Sequence, residues 1–140
     1  MKYIYLAIIS VSFLACGETI ADLSVDEYIV ANKLITRELD KGVHIAVDIQ
    51  GNDTKPNINS KVTVNYVGKL TNGVEFDSGS NKVFQLSGLI EGWKIGLKEI
   101  GEGASCTLII PPGAGYGGSA NGSIPANSVL VFDMDLIKVE

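Results

Sequence analysis

Few side chains in this sequence could carry covalent or metal chemistry. It has two cysteines, Cys16 and Cys106, and one histidine, His44, too few for a protein-only zinc site of the usual Cys/His type. A serine or cysteine triad would need that histidine in the right place, and His44 lies in an apparent strand, Val43 to Ile49, with no nucleophile beside it. A surface or edge position is expected for it. No G-x-S-x-G, H-E-x-x-H or phosphate-loop signature is present. Gly113-Ala114-Gly115-Tyr116-Gly117-Gly118 satisfies G-x-G-x-x-G, but a dinucleotide site needs a helix to begin within those glycines, and Ser119 to Pro125 cannot supply one. Asn52-Asp53-Thr54 and Asn121-Gly122-Ser123 have the form of glycosylation sequons and are read as turn composition. Neither a metal ion nor a cofactor is expected.

What remains is aromatic. The single tryptophan, Trp93, stands in Gly88-Leu89-Ile90-Glu91-Gly92-Trp93-Lys94-Ile95-Gly96-Leu97. Ile90, Trp93, Leu97 and Ile100 recur at helical spacing, with Glu91, Lys94, Lys98 and Glu99 on the other side, so a short amphipathic helix forms here, bracketed by Gly88 and Gly101. On composition alone Trp93 is one more core aromatic. The elements around it decide whether it is more.

Those elements are mostly strands. Ser24-Val25-Asp26-Glu27 is a capping box ahead of a short helix, about Val25 to Lys33. Ile35 to Leu39 and Val43 to Ile49, around Asp40-Lys41-Gly42, read as a hairpin, and Gly51 to Ser60 as a polar loop. Lys61 to Leu70 alternates cleanly, and Asn72-Gly73 turns it into a partner strand, Val74 to Ser78. A loop, Gly79 to Lys82, then leads to Val83-Phe84-Gln85-Leu86. Ala104 to Ile110 is a further strand, with Cys106 on its apolar face among Ala104, Leu108 and Ile110, and Val129 to Val139 is the last. Between them Pro111 to Ser128, with five glycines and three prolines in 18 residues, is too long for a simple connection and is expected to be functional or mobile. The fold class is α+β: an antiparallel, strongly twisted sheet of about five to six strands, mostly paired in sequence order, wrapped around the tryptophan helix, with an N-terminal helix and hairpin extension.

At 140 residues, 46% hydrophobic and 19% charged, the chain can bury one core and hardly two. The net charge of −5, with no basic run, leaves no electrostatic footprint for nucleic acid. Met1-Lys2 precedes an apolar run, Tyr3 to Ala15, too short to span a bilayer but suited to a signal-peptide core. It ends in Ser12-Phe13-Leu14-Ala15-Cys16, which resembles a bacterial lipobox with Phe13 where an aliphatic residue is usual. Residues 1–15 are therefore expected to be a signal peptide and Cys16 a lipidated N-terminus. Residues 16–42 form a lipid tether and extension, and 43–140 the main domain. The expected place is the bacterial cell envelope, membrane-anchored through Cys16, as a monomer.

In order along the chain stand Val64-Asn65-Tyr66-Val67-Gly68, Gly73-Val74-Glu75-Phe76-Asp77-Ser78, Leu89-Ile90-Glu91-Gly92-Trp93, Ile110-Pro111-Pro112, Gly115-Tyr116-Gly117, Ile124-Pro125 and Leu130-Val131-Phe132-Asp133. Together, from about Val43 to Glu140, they resemble the FKBP-type peptidyl-prolyl cis-trans isomerases. The resemblance implies a folding catalyst for exported polypeptides, without cofactor, whose partners are proline-containing chains and, for some members, macrolides. It implies that Trp93 floors a proline pocket walled by Tyr66, Phe76 and Phe132, with Leu89, Phe84 and Ile124 also touching substrate. Ile90 would offer its backbone N–H to a substrate carbonyl, Tyr116 its hydroxyl, and Asp77 would stand at the pocket edge. Lys82, Ala114 and Ala126 replace bulkier or cyclic residues of well-studied members, which pares down the rim. A binding module that keeps the pocket without catalysis is the alternative. Strict alternation would send Phe76 and Asp77 to opposite faces, so both roles require a bulge or strand end near Phe76.

Overall fold

The computed structural model describes residues 22–140. Helix α1, Val25–Ala31, starts at the expected capping box: the Glu27 N–H donates to Ser24 Oγ, and the Ser24 N–H donates to Glu27 Oε2 at 2.8 Å. It closes two residues short of Lys33, which adopts φ +52. The strands are β1 (Arg37–Glu38), β2 (His44–Ile49), β3 (Lys61–Leu70), β4 (Glu75–Gln85), β5 (Ser105–Ile110) and β6 (Leu130–Val139), and helix α2 is Glu91–Leu97.

They form one six-stranded sheet in the order β1-β2-β5-β6-β3-β4, antiparallel throughout. Pairing is less sequential than the turn chemistry suggests. The last strand, β6, enters between β5 and β3, so the residues with the longest apolar alternation sit at the fully paired centre. A second difference lies at Gly79 to Lys82. Their loop-like composition encodes a bulge within one continuous 11-residue strand: the register slips between the pairs Val64/Lys82 and Tyr66/Gly79. Asn81 takes φ +51 there, and its N–H donates to Asn65 Oδ1 at 2.8 Å.

Among the described residues each face of the sheet carries one α-helix. On the concave face α2 inserts Trp93 and Leu97 among Val62, Val64, Leu108, Ile110, Leu130 and Leu136, so the sheet wraps around the tryptophan helix as expected. On the opposite face Tyr28 of α1 packs on Ile109 and Val131. Alternation along β5 and β6 feeds both clusters, because successive side chains point to opposite faces. Cys106 is core, 2% exposed, and burial, followed by the nearby Asp48, Asp133 and Asp135, pushes its thiol up to about 12. His44 is half-buried, with Nδ1 3.1 Å from Thr36 Oγ1. After Ile110 the chain makes a 3-10 turn, Pro112–Ala114, and no α-helix begins within the glycines. The leader, the Cys16 anchor and the start of the tether fall on residues outside the described ones.

Candidate functional site

The β3–β4 pair does not run as a regular ladder. Gly68 faces Asp77 while the next residue, Lys69, faces Glu75, so Phe76 is the extra residue of a bulge. The expected irregularity thus falls on Phe76 itself. Its consequence is that Phe76 and Asp77 both turn toward one cavity of about 570 Å³ between the concave face of the sheet, α2 and the β5–β6 loop.

The cavity floor is Trp93, held at the first turn of α2 with 4% of its surface exposed. Three rings stand edge-on or tilted around it: Tyr66 at 5.1 Å and 77°, Phe132 at 5.2 Å and 89°, Phe84 at 5.8 Å and 84°. Phe76 closes the wall against Phe132 at 5.5 Å and 86°. Edge-to-face rings at these separations fix one another's angles, which preforms an apolar slot. The indole Nε1 is buried and has no hydrogen-bond partner among the described residues, so the floor exposes no donor to the cavity.

Polar groups stand at the margin. The Tyr66 hydroxyl donates to Asp77 Oδ2 at 2.8 Å. Burial first, then that hydrogen bond and the Asp77 charge, push the Tyr66 phenol up to about 12, so it stays a neutral donor. Tyr116, 38% exposed, stands at the mouth. Ile90 is the N-cap of α2, with extended backbone (φ −59, ψ 153); its carbonyl accepts from the N–H groups of Trp93 and Lys94, and its own N–H has no acceptor among the described residues.

All ten pocket residues named from the sequence line this cavity: Tyr66, Phe76, Asp77, Phe84, Leu89, Ile90, Trp93, Tyr116, Ile124 and Phe132. Sequence reasoning missed Gly88, Asn121, Gly122 and Ser123, which complete it. The last three form a tight turn closed by reciprocal backbone hydrogen bonds between Asn121 and Ile124, with Gly122 at φ +57. An Asn-Gly pair is a hairpin signal, and it could have marked this lip over the buried Ile124. Cys16 lies outside the described residues. Among these residues no group of three His, Cys, Asp or Glu side chains could hold a metal, and no helix is long and apolar enough to cross a membrane.

An apolar slot with the Tyr116 hydroxyl at its mouth and a backbone N–H without an acceptor among the described residues can hold a small ring and a carbonyl. Residues 52–137 match the family model described as FKBP-type peptidyl-prolyl cis-trans isomerase. The chain is 36% identical over 121 residues to the FKBP-type peptidyl-prolyl cis-trans isomerase FkpA of Aeromonas hydrophila, covering 82% of this chain and 45% of that protein. The crystal structure of FkpA from Escherichia coli superposes with a TM-score of 0.76 at 36% identity, covering 82% of this chain and 57% of that one. A peptidyl-prolyl cis-trans isomerase from Pseudomonas syringae gives 0.74 at 32% identity, over 81% of this chain and 88% of that one. The chain spans less than half the length of the curated FkpA relatives it matches.

Proposed function

This chain belongs to the FKBP-type peptidyl-prolyl cis-trans isomerase family, and on that premise we propose that its aromatic cavity catalyses rotation about X-Pro bonds of polypeptide substrates. The observation that carries the reading is the Trp93 floor with its three surrounding rings, a slot of about 570 Å³ open at one side.

Rotation of an X-Pro bond breaks amide resonance against a barrier of about 20 kcal/mol, so the free reaction takes tens of seconds or longer. The twisted amide has less charge separation than the planar one. An apolar slot that strips water from the imide carbonyl therefore favours the twisted state over the planar one. The proline ring would sit on Trp93 between Tyr66, Phe76 and Phe132, while the Ile90 N–H takes a flanking carbonyl and Tyr116 a second. One side of the bond is then held while the other turns. Each tenfold in rate needs about 1.4 kcal/mol, so several modest contacts suffice.

Export and anchoring belong to the same reading. The Tyr3 to Ala15 run and the lipobox-like end at Cys16 support a substrate pool of exported chains at a bacterial envelope, with the domain tethered by lipid. Mass spectrometry of the mature N-terminus checks this; an unmodified Cys16 or an uncleaved leader removes it.

A protease-coupled assay with proline-containing peptides tests the activity. A rate above background that falls when Trp93 or Phe132 is truncated supports it. Background rate with intact peptide binding leaves the binding module, and absence of both removes the pocket.

A further inference from the structure

Resting on that reading, a further inference concerns what holds two of the pocket walls in place. Gly68 lies on the concave face of β3, opposite Asp77 of β4 and opposite Phe132 of β6, beside the bulge that carries Phe76. A methyl group in place of its hydrogen would lie 2.7 Å from Phe132 Cε1, 2.7 Å from Phe76 Cε2 and 2.8 Å from Phe76 Cζ. Carbon atoms do not approach that closely without something moving. The atoms met are the outer edges of the two rings that close the wall at 5.5 Å and 86°.

The backbone makes no such demand. Gly68 is absent from the positive-φ positions, in contrast to Gly73 or Gly122, so its conformation would accept any residue. The need for glycine comes from the rings alone. Phe132 is held against Trp93 and Tyr66, and Phe76 against Phe132. Neither ring can yield to a Cβ without entering the slot or leaving the wall.

We infer that Gly68 is a positioning residue for prolyl isomerisation: it supplies the side-chain-free notch in which Phe76 and Phe132 meet, and so fixes the width of the slot. It touches no substrate itself.

The test is Gly68→Ala in the full chain, alone and combined with Phe76→Leu, which withdraws the ring edge. In the otherwise native background Gly68→Ala is expected to lower kcat/KM by about tenfold or more, a distortion-scale loss for a reaction set by geometry. In the Phe76→Leu background the same change should cost at least about threefold less, because two of the three close contacts go and only Phe132 Cε1 remains. The proton resonances of the Phe76 and Phe132 rings should shift in Gly68→Ala. Gly113→Ala, at an open position outside the cavity lining where a Cβ meets nothing within 4 Å, should leave rate and resonances unchanged.

Equal costs in both backgrounds, or unshifted ring resonances beside a lowered melting temperature alone, would overturn the inference. If Gly68→Ala does not fold, restoration of folding by Phe76→Leu or by Phe132→Leu supports it, and failure of both double variants to fold overturns it. A wild-type protein without isomerase activity would remove the proposed reaction, while the ring resonances would still decide whether Gly68 seats the wall.

Discussion

Tyr66 reaches Asp77 diagonally: the register pairs Tyr66 with Gly79 and Asp77 with Gly68, yet the Tyr66 hydroxyl donates to Asp77 Oδ2 at 2.8 Å. The ladder is regular between those two pairs, so Tyr66 and Asp77 are diagonal neighbours on one face of the sheet, and Gly79 leaves the ring room, since a Cβ there would meet Tyr66 Cε1 at 2.7 Å. The bond locks one wall of the pocket to its polar edge.

That relationship predicts an unusual alkaline titration. Burial, then Asp77, raises the Tyr66 phenol from 10 to about 12. Between those values the unfolded chain has lost a proton that the folded chain keeps, so this contribution to stability is complete below pH 10 and is lost as pH rises toward 12. An ultraviolet phenolate titration should show a Tyr66 step near 12 rather than 10, and Asp77→Asn should bring it down. A Tyr66 that ionises at the ordinary phenol value of 10 would remove the lock. Asp77→Asn should also slow isomerisation modestly, about two- to tenfold, because it loosens a wall rather than removing a donor.

Phe132 tests the pocket without emptying it. It is 4% exposed and touches Tyr66, Phe76 and Trp93, so Phe132→Leu keeps most apolar contact and should cost about 1–2 kcal/mol of stability. Activity should fall further than stability, by about tenfold or more, because a flexible branched chain cannot hold the edge-to-face angles. An unchanged rate in a folded variant would place the reaction elsewhere. Denaturant melts beside the coupled assay separate the two effects.

How much of this was readable from the chain differs by element. Lys61 to Leu70 and the Asn72-Gly73 turn were legible because alternation and a two-residue hairpin signal are local properties. The Trp93 helix was legible because its apolar period is 3.6. The bulge at Phe76 followed from a conflict between alternation and the role implied by the family likeness. The insertion of β6 between β5 and β3 is a long-range pairing that no local pattern encodes. Gly79 to Lys82 misled because glycine, asparagine and serine mark a bulge as readily as a loop; only the partner residue Asn65, 16 positions from Asn81, distinguishes them. The Gly68 notch was invisible for the same reason, since it depends on rings from β4 and β6.

Cys106 should be chemically silent in the folded protein. It is 2% exposed, and burial, then the charges of Asp48, Asp133 and Asp135, lifts its thiol to about 12, so almost no thiolate exists at neutral pH. Alkylation followed by peptide mapping should label Cys106 only after denaturant is added. Rapid labelling under native conditions would mean that β5 opens far more readily than its central place between β2 and β6 implies.

The two faces of the sheet should separate stability from activity. α1 packs on Ile109 and Val131, opposite the face that carries the pocket, and its start depends on the reciprocal bonds between Ser24 and Glu27. Ser24→Ala removes the cap and should cost about 1 kcal/mol. For a domain of this size that lowers the melting temperature by about 3–6 °C. Isomerase activity at 25 °C should not change, because neither Ile109 nor Val131 faces Trp93 and the β5–β6 pairing that carries Phe132 stays intact. Alternation explains the separation: along β6 Val131 supports the helix on one face while Phe132, the next residue, walls the pocket on the other. A drop in kcat/KM together with the melting temperature would show that α1 steadies the pocket through the sheet, and the extension would then be part of the catalytic unit.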